Sequence, residues 1–126
     1  METSEVLVKA LEILEEKGWC KRELQNIKGE YCLMGAINKA AYGYGDYPSN
    51  ASLRTNNTTT NYDEAFPAVK QLAKFVPKLV DRHINNIVSF NNNPKTTIAD
   101  IKKVMCSAIK DSLEESDNDR TNQASD

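Results

Sequence analysis

Near the start of the chain Val6, Leu7, Ala10, Leu11 and Leu14 recur at three- and four-residue spacing, with Lys9, Glu12, Glu15 and Glu16 between them. A helix places such residues on one face, so the segment from Ser4 to Lys17 reads as an amphipathic helix that must bury that face against another element. Thr3 or Ser4 is placed to cap its first amides, and Gly18 supplies the left-handed residue that commonly ends a helix. The period returns in Phe66, Val69, Leu72, Ala73, Val76, Leu79, Val80, His83 and Ile84, and again in Ile98, Ile101, Met105, Ala108 and Ile109. Pro77 interrupts the second series, yet the apolar phase carries across it, which predicts one helix kinked at Pro77 rather than two helices. The last series starts at Thr96 or Thr97, where Thr97 with Asp100 has the spacing of a capping box.

From Trp19 to Tyr31 the helical period is lost, and Lys28-Gly29 sits where a turn would send the chain back toward Glu30-Tyr31-Cys32. From Cys32 to Ala41 the residues read as a short buried helix, in which Gly35 and Ala36 are small enough for another element to approach closely. Ile87-Val88-Ser89-Phe90 is a short apolar piece ended by Asn91-Asn92-Asn93-Pro94. The expected fold is therefore all-α: a small bundle of about four helices, with a short irregular hairpin between the first and second. In a chain of 126 residues one core is expected. Residues 1–112 form that single helical domain, with a long polar loop at about 43–62 that has no period of either kind. Residues 113–126 turn polar and acidic, and a disordered acidic tail is expected there.

Apolar residues at 40% and charged residues at 27% are ordinary for a globular chain and argue against general disorder. The net charge of −2 hides a split. Glu114, Glu115, Asp117, Asp119 and Asp126 against Arg120 give the tail −4, which leaves −2 − (−4) = +2 for the body. That is far from the basic charge expected of a domain that lives on double-stranded nucleic acid. Three cysteines with no CxxC pair do not make a disulfide framework. The start Met1-Glu2-Thr3-Ser4-Glu5 is unlike a secretory leader, and no apolar stretch is long enough for a bilayer, so a cytoplasmic protein with no membrane contact is expected. A homo-oligomer remains open.

Three groups of residues could carry chemistry. Lys70, Lys74, Lys78 and Arg82 stand four apart, which on one helix stacks them into a cationic stripe able to meet a small anionic, nucleotide-like ligand. The same stripe is also what a solvated helix face looks like. Tyr42, Tyr44 and Tyr47, separated by glycines, offer rings that could stack on a base or anchor a protein partner, and are equally at home on the rim of a small domain. Cys20 and Cys32 flank the turn, and His83 is the only histidine available to activate a thiolate or complete a metal site. It falls, however, on the apolar side of its series, where a hydrogen-bonded core histidine is the commoner outcome. No P-loop, GxGxxG, GxSxG or HExxH pattern is present.

Gly18-Trp19-Cys20, then Tyr31-Cys32-Leu33-Met34-Gly35-Ala36-Ile37, then Phe90-Asn91-Asn92-Asn93-Pro94 running into Thr97 and a final helix, resemble a family of small proteins of unknown function in bacteria and their phages. Its members show Gly-Trp-Cys, Cys-Leu-x-Gly-Ala and Trp-Asn-Asp-x-Pro before the closing helix. The resemblance covers roughly Val6 to Ile109 and implies a helical domain in which Trp19, Cys20, Cys32 and Gly35 belong to one structural unit. The chain departs from the pattern where Phe90 and Asn92 or Asn93 replace the tryptophan and the aspartate. If that aspartate only caps the last helix, asparagine at position 92 serves nearly as well.

The expectation is thus a non-enzymatic binding protein, of the kind a phage or mobile element carries, that engages a small anionic ligand or a protein partner. It has no catalytic residues, no metal site and no cofactor. The alternative is a small thiol- or metal-dependent enzyme using Cys20, Cys32 and His83.

Overall fold

A computed structural model describes residues 2–42 and 58–125. Five helices occur among the described residues: α1 (Thr3–Lys17), α2 (Leu33–Tyr42), α3 (Thr58–Ala73), α4 (His83–Asn92) and α5 (Ile98–Ser125). No strand occurs among these residues, so the domain is all-α. None of the helices is long and apolar enough to cross a membrane.

α3 packs against all four other helices, α1 packs against α2, α3 and α5, and α4 closes the bundle against α2 and α3. The buried stripe of α1 is Val6, Leu7, Ala10 and Leu14, as its spacing requires. It shares one core with Leu33, Ala36, Ile37 and Ala40 of α2, Ala68, Val69 and Leu72 of α3, Ile87 of α4, and Ile101, Met105 and Ala108 of α5. Alanines on nearly every facing surface let the helices approach, and each fully buried leucine or isoleucine contributes about 1.5–3 kcal/mol. Buried Gln71 adds a polar tie, donating to the Ala108 carbonyl at 2.9 Å and to Asp111 Oδ2 at 2.8 Å.

The helix starts follow different rules. α1 begins one residue earlier than a Thr3 or Ser4 cap would allow: Glu2 is the N-cap and makes no side-chain capping bond. At α5 the capping box forms. Thr97 donates from its backbone N–H to Asp100 Oδ2 at 2.9 Å, and the Asp100 N–H donates back to Thr97 Oγ1 at 3.3 Å. α5 then runs past Ser112, and the acidic segment expected to be a disordered tail is helical as far as Ser125. No glycine or proline stands between Thr97 and Ser125, and good helix formers such as Glu, Arg, Gln and Ala populate the end.

The helix expected to continue through Pro77 is instead two. α3 ends at Ala73, where Lys74 and Phe75 donate to the carbonyls of Gln71 and Leu72 and tighten the last turn. Val76, as the residue before a proline, is pushed out of the helical region, and Pro77 has no N–H with which to resume the ladder. Residues 77–82 cross over without helix, and α4 starts at His83. The apolar phase therefore stops at Val76, which is buried; Leu79 is 68% exposed and Val80 48%. The polar loop is also shorter than expected at its far end, because residues 58–62 belong to α3.

Candidate functional site

The connection from Gly18 to Cys32, where a short irregular hairpin is expected, is an irregular loop whose bridges are isolated, Trp19 with Tyr31 and Gln25 with Tyr31. Gly18, at φ +99°, turns the chain out of α1, and its N–H satisfies the Leu14 carbonyl. Cys20 N–H donates to the Tyr31 carbonyl and Tyr31 N–H to the Gly18 carbonyl, both at 3.0 Å. At the tip Asn26 accepts from the N–H groups of Lys28 and Glu30 through Oδ1, and donates through Nδ2 to Glu30 Oε1 at 2.7 Å. Gly29, at φ +86°, completes the turn.

α4 fastens this loop to the bundle. Asn91, 2% exposed, accepts from Trp19 Nε1 at 2.7 Å and from the Leu33 N–H at 3.0 Å. Its amide nitrogen donates to the Cys20 carbonyl at 3.2 Å and to Asn92 Oδ1 at 3.0 Å. Asn92 Oδ1 also accepts from the Arg22 N–H at 2.7 Å, and Lys21 Nζ reaches the Asn93 carbonyl at 2.7 Å while lying 5.3 Å from the Trp19 ring centroid. The other end of α4 does the same for the 77–82 crossover. Buried Asn86 accepts from the N–H groups of Leu79 (2.9 Å) and Val80 (3.0 Å) and donates to the Val80 carbonyl at 2.9 Å.

Gly35 is where α2 meets the loop. A β-carbon there would lie 2.0 Å from the Leu24 carbonyl oxygen, a contact only glycine permits. Trp19, Cys20, Cys32, Gly35 and Asn92 thus fall in one place, but the residue that joins most of them is Asn91.

The thiols are set for structure. Cys20 Sγ faces the carbonyls of Glu30 (3.3 Å) and Glu23 (3.5 Å), and Cys32 Sγ accepts from the Gly35 N–H at 3.3 Å. Burial, reinforced by the neighbouring Cys32 and the carboxylates of Glu30 and Glu23, pushes the Cys20 pKa from 9.0 up to about 11; burial raises Cys32 as well. His83 is exposed at the start of α4 rather than packed in the core, with its ring 6.3 Å from that of Phe66. Among the described residues no three His, Cys, Asp or Glu side chains cluster as a metal site would require. At neutral pH iodoacetamide is expected to label exposed Cys106 and to spare Cys20 and Cys32 in the folded protein, as read by peptide mass spectrometry. Because the folded state holds the Cys20 proton more tightly than the unfolded chain, the burial of that thiol is neutral below pH 9 and destabilises as pH rises toward about 11. Prompt alkylation of Cys20 at pH 7 would contradict this.

The four cations of the expected stripe do not share one helix. Lys70 lies on α3 with its Nζ 5.8 Å from the Phe66 ring centroid, and Lys74 lies just beyond the helix, 3.8 Å from Asp111. Lys78 sits in the crossover, 3.7 Å from Asp81, and Arg82 precedes α4. The four-residue spacing stacks side chains only along a continuous helix, and Pro77 breaks it. Of the tyrosines, Tyr42 ends α2 and packs against the core, whereas Tyr44 and Tyr47 lie outside the described residues.

Between the loop and α4 runs a cleft of about 130 Å³, lined by Arg22, Glu23, Leu24, Met34, Val88 and Asn92 over a floor of Cys32 and Asn91. Arg22 stands at its mouth with φ +74°, the one positive φ on a non-glycine residue among those described. A family model, described as a family of unknown function (DUF6197), matches residues 1–111. No curated protein and no solved structure matches the chain.

Proposed function

The chain belongs to this family of unknown function, and from that premise we propose that it is a non-enzymatic binding protein that docks a protein partner on the 77–82 crossover. One observation carries the reading. Leu79 and Val80 are turned to solvent, 68% and 48% exposed, on a backbone held by three hydrogen bonds to buried Asn86. A segment that only linked two helices would have no need of this: its amides could bond to water, and its aliphatic side chains could fold inward. Fixing the backbone in advance lowers the ordering entropy lost on association, and two adjacent aliphatic side chains give a partner an anchor. Lys78, Asp81 and Arg82 flank the pair, and with Lys78 beside Asp81 at 3.7 Å the rim keeps one net positive charge, which favours a partner surface with a carboxylate beside an apolar socket.

Of the ligand classes open to the sequence, the protein partner has this support. The small anion loses the shared helix that would have assembled its four cations. The thiol enzyme has two cysteines kept protonated by burial and a histidine at an exposed helix start.

Affinity isolation with the wild type and a Leu79→Ser/Val80→Ser variant tests the proposal. The exposed changes should leave the melting temperature nearly unchanged, and the partner recovered by the wild type should bind the variant at least ~10-fold more weakly. Equal recovery by both proteins, or no partner for the wild type, would overturn it.

A further inference from the structure

Cys20 and Cys32 stand near the two ends of the 18–32 loop, and the backbone sets them side by side. The Trp19–Tyr31 bridge is parallel: the Tyr31 N–H donates to the Gly18 carbonyl and the Cys20 N–H to the Tyr31 carbonyl, both at 3.0 Å. In that pattern the next residue of each segment shares a level, so Cys20 faces Cys32 at about the 4.8 Å spacing of paired strands. Side chains alternate along each segment, so both thiols leave on one face, opposite to Trp19 and Tyr31. A disulfide needs α-carbons about 4.4–6.8 Å apart, a range that includes this spacing. Two further observations agree. After burial, Cys32 is the largest influence raising the Cys20 pKa, as a neighbouring sulfur would be. Both residues are buried, and the bonds their sulfurs make are long and weak: Cys20 donates to the Glu30 and Glu23 carbonyls at 3.3 and 3.5 Å, and Cys32 accepts from the Gly35 N–H at 3.3 Å.

We propose that Cys20 and Cys32 are a disulfide site, oxidised by exchange with a small-molecule disulfide such as oxidised glutathione, and that the bond ties the 18–32 loop at its base. The thiolate of one cysteine attacks a glutathione sulfur, the glutathione S–S bond breaks, and one glutathione leaves as its thiolate. The thiolate of the other cysteine then attacks the protein sulfur of the mixed disulfide and releases the second glutathione. Two protein thiols are oxidised, one glutathione disulfide is reduced to two thiols, and the two cysteine protons end on them. In the closed loop burial keeps the thiols protonated at neutral pH, so exchange runs through the opened loop and the folded register holds the product. The reduced loop relies on the asparagines of α4; the oxidised loop has a covalent tie as well.

The test uses the full chain with Cys106→Ser, which removes the exposed thiol. It is equilibrated with reduced and oxidised glutathione in native buffer and in denaturing urea, and the crosslinked fraction is read by mass spectrometry after acid quenching. The native register should raise the equilibrium constant for the crosslink at least ~10-fold over the unfolded chain, and by linkage the oxidised form should melt at least ~5 °C above the reduced form. Non-reducing peptide maps should join the Cys20 and Cys32 peptides. An equilibrium constant in native buffer no higher than in urea, a lower melting temperature for the oxidised form, or glutathione held singly on either cysteine as the main product would overturn the proposal.

Discussion

Replacing Gly35 with alanine is expected to destabilise the protein by about 2–4 kcal/mol, against the sign that helix propensity gives. Gly35 lies inside α2, where alanine in place of glycine would ordinarily gain about 1 kcal/mol. The new methyl group, however, would sit 2.0 Å from the Leu24 oxygen and 2.8 Å from its carbonyl carbon. These are backbone atoms, and the oxygen is already engaged by the Cys32 N–H at 3.3 Å, so no side-chain rotation relieves the clash. Either the loop or α2 must move, and both carry buried residues. Thermal unfolding followed by circular dichroism should show a fall of roughly 10 °C or more. A raised or unchanged midpoint would show that the loop does not press on α2 as described.

Asn91→Leu is expected to be more damaging still, by about 3–5 kcal/mol, a large share of the 5–15 kcal/mol that a small domain usually has. Leucine keeps the branched skeleton, in bulkier groups, but returns none of the bonds to Trp19 Nε1, the Leu33 N–H and the Cys20 carbonyl, and these are groups at a site 2% exposed. Each polar group left buried without a partner costs about 1–3 kcal/mol. Asn91→Asp should fall between the two, since it keeps the acceptor for Trp19 and Leu33 but loses the donor to Cys20 and sets a negative charge in the last turn of a helix. Urea titration read by Trp19 fluorescence measures both variants against wild type. A Leu variant within about 1 kcal/mol of wild type would remove Asn91 from the centre of the unit.

Much of the architecture is legible in periodicity. The buried residues of α1 and α5 are ones their spacing selects, although Leu11 and Ile109 are only partly buried and Ile98 is exposed, and Thr97 with Asp100 marks a start that the structure repeats. The pattern misleads at Pro77, because a hydrophobic phase can coincide on two helices by chance of linker length. Leu79 and Val80 extend the series arithmetically while the backbone that would have turned them inward is absent. The cationic stripe fails with it, since Lys70 to Arg82 owed their alignment to the same helix.

The polar anchors were the harder part. Asn91 follows Ile84 and Ile87 at helical spacing, so an asparagine on a buried face is visible in the sequence as a residue that needs partners. The neighbouring Asn92-Asn93-Pro94 made the whole run look like a terminator, and it does end α4; Asn86 had no such signal beyond its place beside Ile87. What no pattern carries is the partner. Trp19 and Asn91 are 72 residues apart, and only the fold brings an indole N–H to an amide oxygen. The left-handed Arg22 is equally invisible, because its conformation is imposed by Asn92 across the cleft.

The central claim is that the asparagines of α4 hold both surface segments, the 18–32 loop and the 77–82 crossover, in single conformations. Native-state amide exchange by NMR tests it at Arg22, Leu33, Leu79 and Val80, whose N–H groups donate to Asn92, Asn91 and Asn86. The account predicts exchange at least ~100-fold slower than in an unstructured chain at all four, although Arg22, Leu79 and Val80 are exposed residues. Exchange at unstructured-chain rates at Leu79 and Val80, with the core of α1 still protected, would contradict it.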